Sequence, residues 1–168
     1  AVMSAWLLVT TASGVLLYAI LTDDFRMSYV ASRSNADLDL IYKFAAWWGG
    51  QEGSLLFWSW IATTYTFVAV YTGRRRHRSM ISYVVAIMAA TQAFFLGLVA
   101  FEASPFQVVM SGPQITAMPD GNGLNPLLQH PMMTSHPVML YTGFVGFAVP
   151  FAFAFGTGLG ANFRFFLG

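Results

Sequence analysis

SLLFWSWIATTYTFVAVYTGRRRHRS, Ser54–Ser79, joins nineteen residues without a charge to a run holding four arginines. The uncharged part is about the length a helix needs to cross a bilayer, roughly 20 residues. Working outward, three further apolar runs of similar length appear, so the spans are expected at about 1–21, 54–72, 80–101 and 137–159. Backbone amides must be paired within lipid, which makes helices the expected form. A membrane barrel would need alternating polar and apolar residues, and these runs do not alternate.

Composition agrees. Apolar residues make up 57% of the 168 and charged residues 9%, where soluble domains carry about 25% charged. The fold class is therefore all-α and integral to the membrane: four transmembrane helices with two long outward-facing loops, forming part of a larger polytopic bundle. Residues 1–168 read as one membrane domain. Ala1 already lies in an apolar run, with no initiator Met and no basic segment before it. That start reads as an internal fragment of a longer chain, without a signal peptide. Cysteine is absent, which excludes disulfides, thiolate metal sites and a cysteine nucleophile in these residues.

Charge orients the bundle. The loop 73–79 holds four arginines, the loop 22–53 holds five acids against two Arg and one Lys, and the loop 102–136 holds Glu102, Asp120 and no Lys or Arg. Positive charge marks the cytoplasmic or matrix side, so both termini are expected inside and the two long loops outside. Loops of this length are uncommon unless functional or disordered. Their aromatic content argues for order, and places the chemistry there. A transporter reading is weak, because no acid or base falls in mid-span; Gln92 is the strongly polar residue there.

Trp47–Trp60 holds four tryptophans. An aromatic belt at the membrane interface accounts for Trp47 or Trp48 with the indole N–H left wet. It does not account for Gly49, Gly50 and Gly53, which allow a sharp turn or the close approach of something flat. Belt and ligand platform both stand on the residues alone.

His130 and His136, each followed by proline, are the other informative pair. Six residues turn a helix by about 600°, so the two imidazoles would point to different faces, and a zinc site takes three or four protein ligands. A single axial haem ligand asks less: one imidazole in an apolar setting. His136 is better placed for it, at the outer end of the fourth span, with Pro137 expected in the first helical turn. A structural histidine and a haem ligand both remain open. Further along, Pro150 removes the donor for the Gly146 carbonyl and should kink that span.

Three co-linear motifs carry a family resemblance: DDFRMSYVASRSN (Asp23–Asn35), YKFAAWWGGQEGSLLFWSW (Tyr42–Trp60) and GNGLNPLLQHPMMTSHPVMLYTGFVGFAVPFAFAF (Gly121–Phe155). In order and spacing they resemble the CcmF and NrfE family, the haem-handling membrane proteins of cytochrome c maturation. The resemblance implies a component of cytochrome c haem lyase, positioning haem for thioether attachment to the CxxCH motif of apocytochrome c. The implied partners are the membrane, a haem chaperone, apocytochrome c and the remaining segments or subunits of the same lyase. The implied location is a bacterial inner membrane or the mitochondrial inner membrane.

The family's outward histidine lies in an HPPxLYxGYVGF stretch and ligates the incoming haem. The matching position is His136, in a stretch that reads HPV here. LLQHP stands where the family has LLQDP, so His130 matches no family ligand. The family's tryptophan-rich haem loop, its second outward histidine and the two histidines of its resident haem lie beyond the matched residues. Trp48, Gly49 and Gly50 fall in a W-G-x-x-E-G-S block, Trp48–Ser54, with Trp47 just before it, which the resemblance places beside the haem site. The candidate cofactor-binding set is therefore His136, as the iron ligand, with Trp47, Trp48, Gly49 and Gly50 bordering the pocket. A non-catalytic membrane scaffold derived from the same family is the alternative.

Overall fold

The computed structural model describes residues 1–73, 78–111 and 114–167, with the side chains of 78–80, 157 and 159–167 left aside. The chain is helical throughout its apolar runs: α1 (Val2–Leu21), α2 (Ser28–Arg33), α3 (Leu40–Ala46), α4 (Gln51–Gly73), α5 (Arg78–Phe101), α6 (Pro131–Gly146) and α7 (Ala148–Leu167). Four stretches are long and apolar enough to cross a membrane: Val2–Leu21, Gln51–Gly73, Ile81–Phe101 and Pro131–Gly156. Residues 74–77 of the arginine run, which carry the expected orientation, lie outside the described residues, as does His77.

Neighbouring helices are joined by side chains that find polar partners inside an apolar setting. Trp6 Nε1 on α1 donates to Thr64 Oγ1 on α4 at 3.1 Å, and Trp60 Nε1 on α4 donates back to Thr10 Oγ1 on α1 at 3.2 Å. Gln92 on α5 donates to the Ala62 carbonyl at 3.2 Å and to Thr66 Oγ1 on α4 at 2.5 Å. Between spans such bonds add only modest stability, because the unassembled chain in lipid also finds polar partners. Val84 and Met88 of α5 pack on Ala152 of α7, where Gly156 lets the α5 backbone come close: a Cβ there would stand 3.2 Å from Tyr83 Cβ.

The two long connections fold together at one end of the bundle. Met27 and Val108 form an antiparallel bridge. The Ser28 amide donates to the Gln107 carbonyl at 2.8 Å, the Val109 amide to the Arg26 carbonyl at 2.8 Å, and the Asn122 amide to the Ala31 carbonyl at 2.7 Å. A short hairpin, β1 (Met110–Ser111) with β2 (Gln114–Ile115), projects from the second connection. Lys43 on α3 pairs with Asp23 at the end of α1, where Asp23 adopts a left-handed backbone, φ 53°, that stops the helix.

The last apolar run differs from the single helix expected at 137–159. It starts earlier, because His130 acts as N-cap: its Nδ1 accepts the Met132 amide at 3.3 Å, and Pro131 takes the first helical position. Pro137, expected in the first turn, sits inside α6. The run also divides at Phe147, three residues before Pro150. Proline at 150 supplies no amide for the Gly146 carbonyl, and the helix breaks where that bond is missing.

Candidate functional site

The Trp–Gly corner is organised by Tyr29. Its buried hydroxyl donates to the Ala46 carbonyl at 2.8 Å, lies 3.1 Å from the Trp47 carbonyl, and accepts the Gly50 amide at 3.1 Å. One side chain of α2 thus ties the end of α3 to the start of α4. Burial pushes the Tyr29 hydroxyl well above the ordinary tyrosine range, against the lowering effect of the Gly50 amide and the nearby Arg33. Ser54 Oγ adds a bond to the Trp48 carbonyl at 2.8 Å.

The three glycines of the corner are required by what surrounds them. A Cβ on Gly50 would stand 2.7 Å from Arg33 Nε and 2.9 Å from the Tyr29 ring, and one on Gly49 would stand 2.6 Å from Leu124 Cδ1. On Gly53 it would collide with the Trp47 carbonyl and the Tyr29 hydroxyl. Close approach is indeed their use, and the partners are protein groups.

The tryptophans turn inward. Trp47 meets Phe57 edge-on at 4.9 Å and Trp60 at 5.6 Å, and Trp48 lies 5.4 Å from Phe57. From Phe57 and Trp58 the aromatic contacts pass to Tyr141 on α6, at 6.3 and 5.0 Å. The Trp47 and Trp58 indole N–H groups are buried without an acceptor among the described residues. A belt tryptophan with a wet N–H does not describe Trp47, because its ring is enclosed by the aromatic cluster. An apolar cavity of 340 Å³ lies nearby, lined by Trp58, Thr91, Phe95, Phe144, Val145 and Ala148; none of the five candidate residues lines it.

That cluster fixes one face of α6. Val138, Tyr141 and Val145 pack against Phe57, Ile61, Ala62 and the tryptophans. Thr134, on the same face, is buried and donates to the Leu128 carbonyl at 2.9 Å. His136 lies about 140–200° around the helix from these four. It is exposed, and its imidazole makes no hydrogen bond with the described chain. Two turns on, along the same open face, a Cβ on Gly143 would meet nothing within 4 Å. The five candidates are therefore not brought together: His136 lies on the open face of α6, Trp47 and Trp48 belong to the cluster packed on its opposite face, and Gly49 and Gly50 sit against Leu124, Arg33 and Tyr29. Tyr141 and Val138 stand between the tryptophans and the imidazole side.

The open face fits one-sided binding of a porphyrin iron. It offers an unengaged imidazole, apolar neighbours and a glycine with room beside it. Among the described residues no group of three or more His, Cys, Asp or Glu side chains comes together to hold a metal ion, so a lone imidazole is the available nitrogen donor.

The fold and this site define a multi-pass helical membrane protein with its candidate chemistry at the end where the long connections meet. Comparison supplies the family. The cytochrome C assembly protein family model matches residues 48–159, and the chain belongs to the CcmF/NrfE family of cytochrome c-type biogenesis proteins. It is 44% identical over 151 residues to CcmF of Pseudomonas fluorescens, covering 90% of this chain and 22% of that one. Against CcmF of Escherichia coli K12 the identity is 40%, covering 89% and 23%; against NrfE of Haemophilus influenzae it is 36%, covering 86% and 22%. A solved structure, the cytochrome c heme lyase CcmF, superposes with a TM-score of 0.71 at 32% identity, covering 92% of this chain and 23% of that one. The chain spans less than a quarter of the length of these relatives.

Proposed function

We propose that this chain forms part of a cytochrome c haem lyase and positions haem for attachment to the CxxCH motif of apocytochrome c, with His136 as an axial ligand. The observation that carries the reading is the exposed imidazole, without a partner among the described residues, on a helix whose opposite face is held by packing. The haem, here the substrate, supplies the vinyl groups that the two cysteine thiols attack. The chain's part is orientation. A neutral imidazole nitrogen fixes the porphyrin plane, and a fixed plane sets the vinyl carbons where incoming thiols reach attack distance. Trp47 and Trp48 serve from behind, packing on Phe57, which with Trp58 meets Tyr141 of α6, while Gly49 and Gly50 let Leu124, Arg33 and Tyr29 close the corner that carries them.

In this reading the two long connections and His136 face the periplasm or intermembrane space of an inner membrane, where a membrane-anchored haem chaperone delivers haem and apocytochrome c presents its thiols. The direct test is His136→Gly in purified, haem-loaded protein. Loss of haem occupancy, or a shifted absorption spectrum restored by added imidazole, is the expected result. An unchanged spectrum would remove His136 from the iron and leave a non-catalytic scaffold as the better account.

A further inference from the structure

Three of the chain's nine methionines fall within Met132–Met139, and their placement on α6 is not used by haem ligation. With 100° per residue, Met132 lies about 40° and Met139 about 60° from His136, both on the same side. All three belong to the sector turned away from α4. Met132 is 71% and Met139 is 73% exposed, and His136 is exposed between them. Long side chains on a helix lean toward its N-terminus. The Met139 thioether therefore leans toward the imidazole, and the imidazole toward Met132.

Two thioether sulfurs and one imidazole nitrogen, from consecutive turns of one helix, make a soft and neutral donor set. No Asp or Glu follows Asp120 in the sequence, so no carboxylate on α6 or α7 favours a hard divalent cation. Thioether and imidazole donors without thiolate or carboxylate select Cu(I) among biological metals. His130 stays outside the set, since its Nδ1 is engaged as the α6 cap, and Met133 lies about 60° to the other side of His136.

We propose that Met132, His136 and Met139 form a Cu(I) site on the open face of α6, and that copper and haem compete for the His136 imidazole. The competition rests on the haem reading above; the copper site rests on the methionines. The test is a titration of haem-free protein in detergent micelles with Cu(I), under ascorbate, against the chromophoric chelator bicinchoninate. One equivalent should bind, and Cu(I) should lower subsequent haem loading. The double variant Met132→Leu/Met139→Leu keeps the apolar volume; it should weaken Cu(I) binding at least tenfold and leave haem occupancy unchanged. Equal Cu(I) binding by the double variant and the natural sequence would overturn the copper site. Methionine-dependent copper binding, together with haem occupancy untouched by His136→Gly, would remove the haem reading and leave the copper site standing.

Discussion

The corner from Ala46 to Gly53 and the first half of α6 lie at the same end of the bundle, and they treat their polar groups in opposite ways. At the corner the Tyr29 hydroxyl serves three backbone groups, and each glycine is pressed against a neighbour. On the open face of α6 the imidazole of His136 meets no partner among the described residues, and Gly143 has free space beside it. A filled corner resists change, and an open face leaves donor atoms for something that arrives later. Under the proposed function, the tryptophan side is the support and the histidine side the recognition surface.

The contrast breaks first at the glycines. Gly53→Ala puts a methyl into the Trp47 carbonyl and the Tyr29 hydroxyl, so it should cost about 3 kcal/mol or more. Thermal unfolding in detergent, or the amount of folded protein recovered, reads this. Gly143→Ala should leave both unchanged. If the two variants behave alike, the corner is not the filled region described.

A smaller effect follows from Tyr29→Phe, which leaves the buried Gly50 amide without its acceptor and should cost about 1–3 kcal/mol. Its pH dependence sharpens the point. Burial raises the Tyr29 pKa in the folded state, so the fold holds that proton more tightly than the unfolded chain does. The resulting stability is fully present below about pH 10, the ordinary tyrosine value, and is lost as pH rises beyond it. Alkaline unfolding should therefore be steeper in the natural sequence than in the phenylalanine variant. Gln92→Leu removes two hydrogen bonds between spans, each usually worth about 0.6 kcal/mol, and should cost about 1 kcal/mol, the least of these three destabilising changes. A loss as large as that of Tyr29→Phe would place the decisive polar contact between α4 and α5 instead of at the corner.

The four spans were legible because each is a long uncharged run, and length with composition is enough to call a span. The bend near Pro150 was legible for a similar reason, since a missing amide is written in the residue itself. The start of α6 was not. Histidine is seldom read as a cap, and Pro137 offered a competing first turn six residues after the one used. The role of Tyr29 was hidden because its partners Ala46 and Gly50 lie 17 and 21 residues away, a link made only when α2 packs on the corner. His136 and the tryptophans stand out in the sequence as unusual residues. Their separation by α6 required the helical register, which places Tyr141 toward Trp58 and His136 away from it.

If its packing on α4 gave way, the break at Phe147 would let α6 tilt as an arm. Its sixteen residues make an arm about 24 Å long at 1.5 Å per residue, with the fulcrum where the Gly146 carbonyl lacks its proline-blocked bond. His136 stands eleven residues out, about 16 Å along that arm. A tilt of about 10° would swing the imidazole by about 3 Å, roughly the difference between touching a metal centre and releasing it.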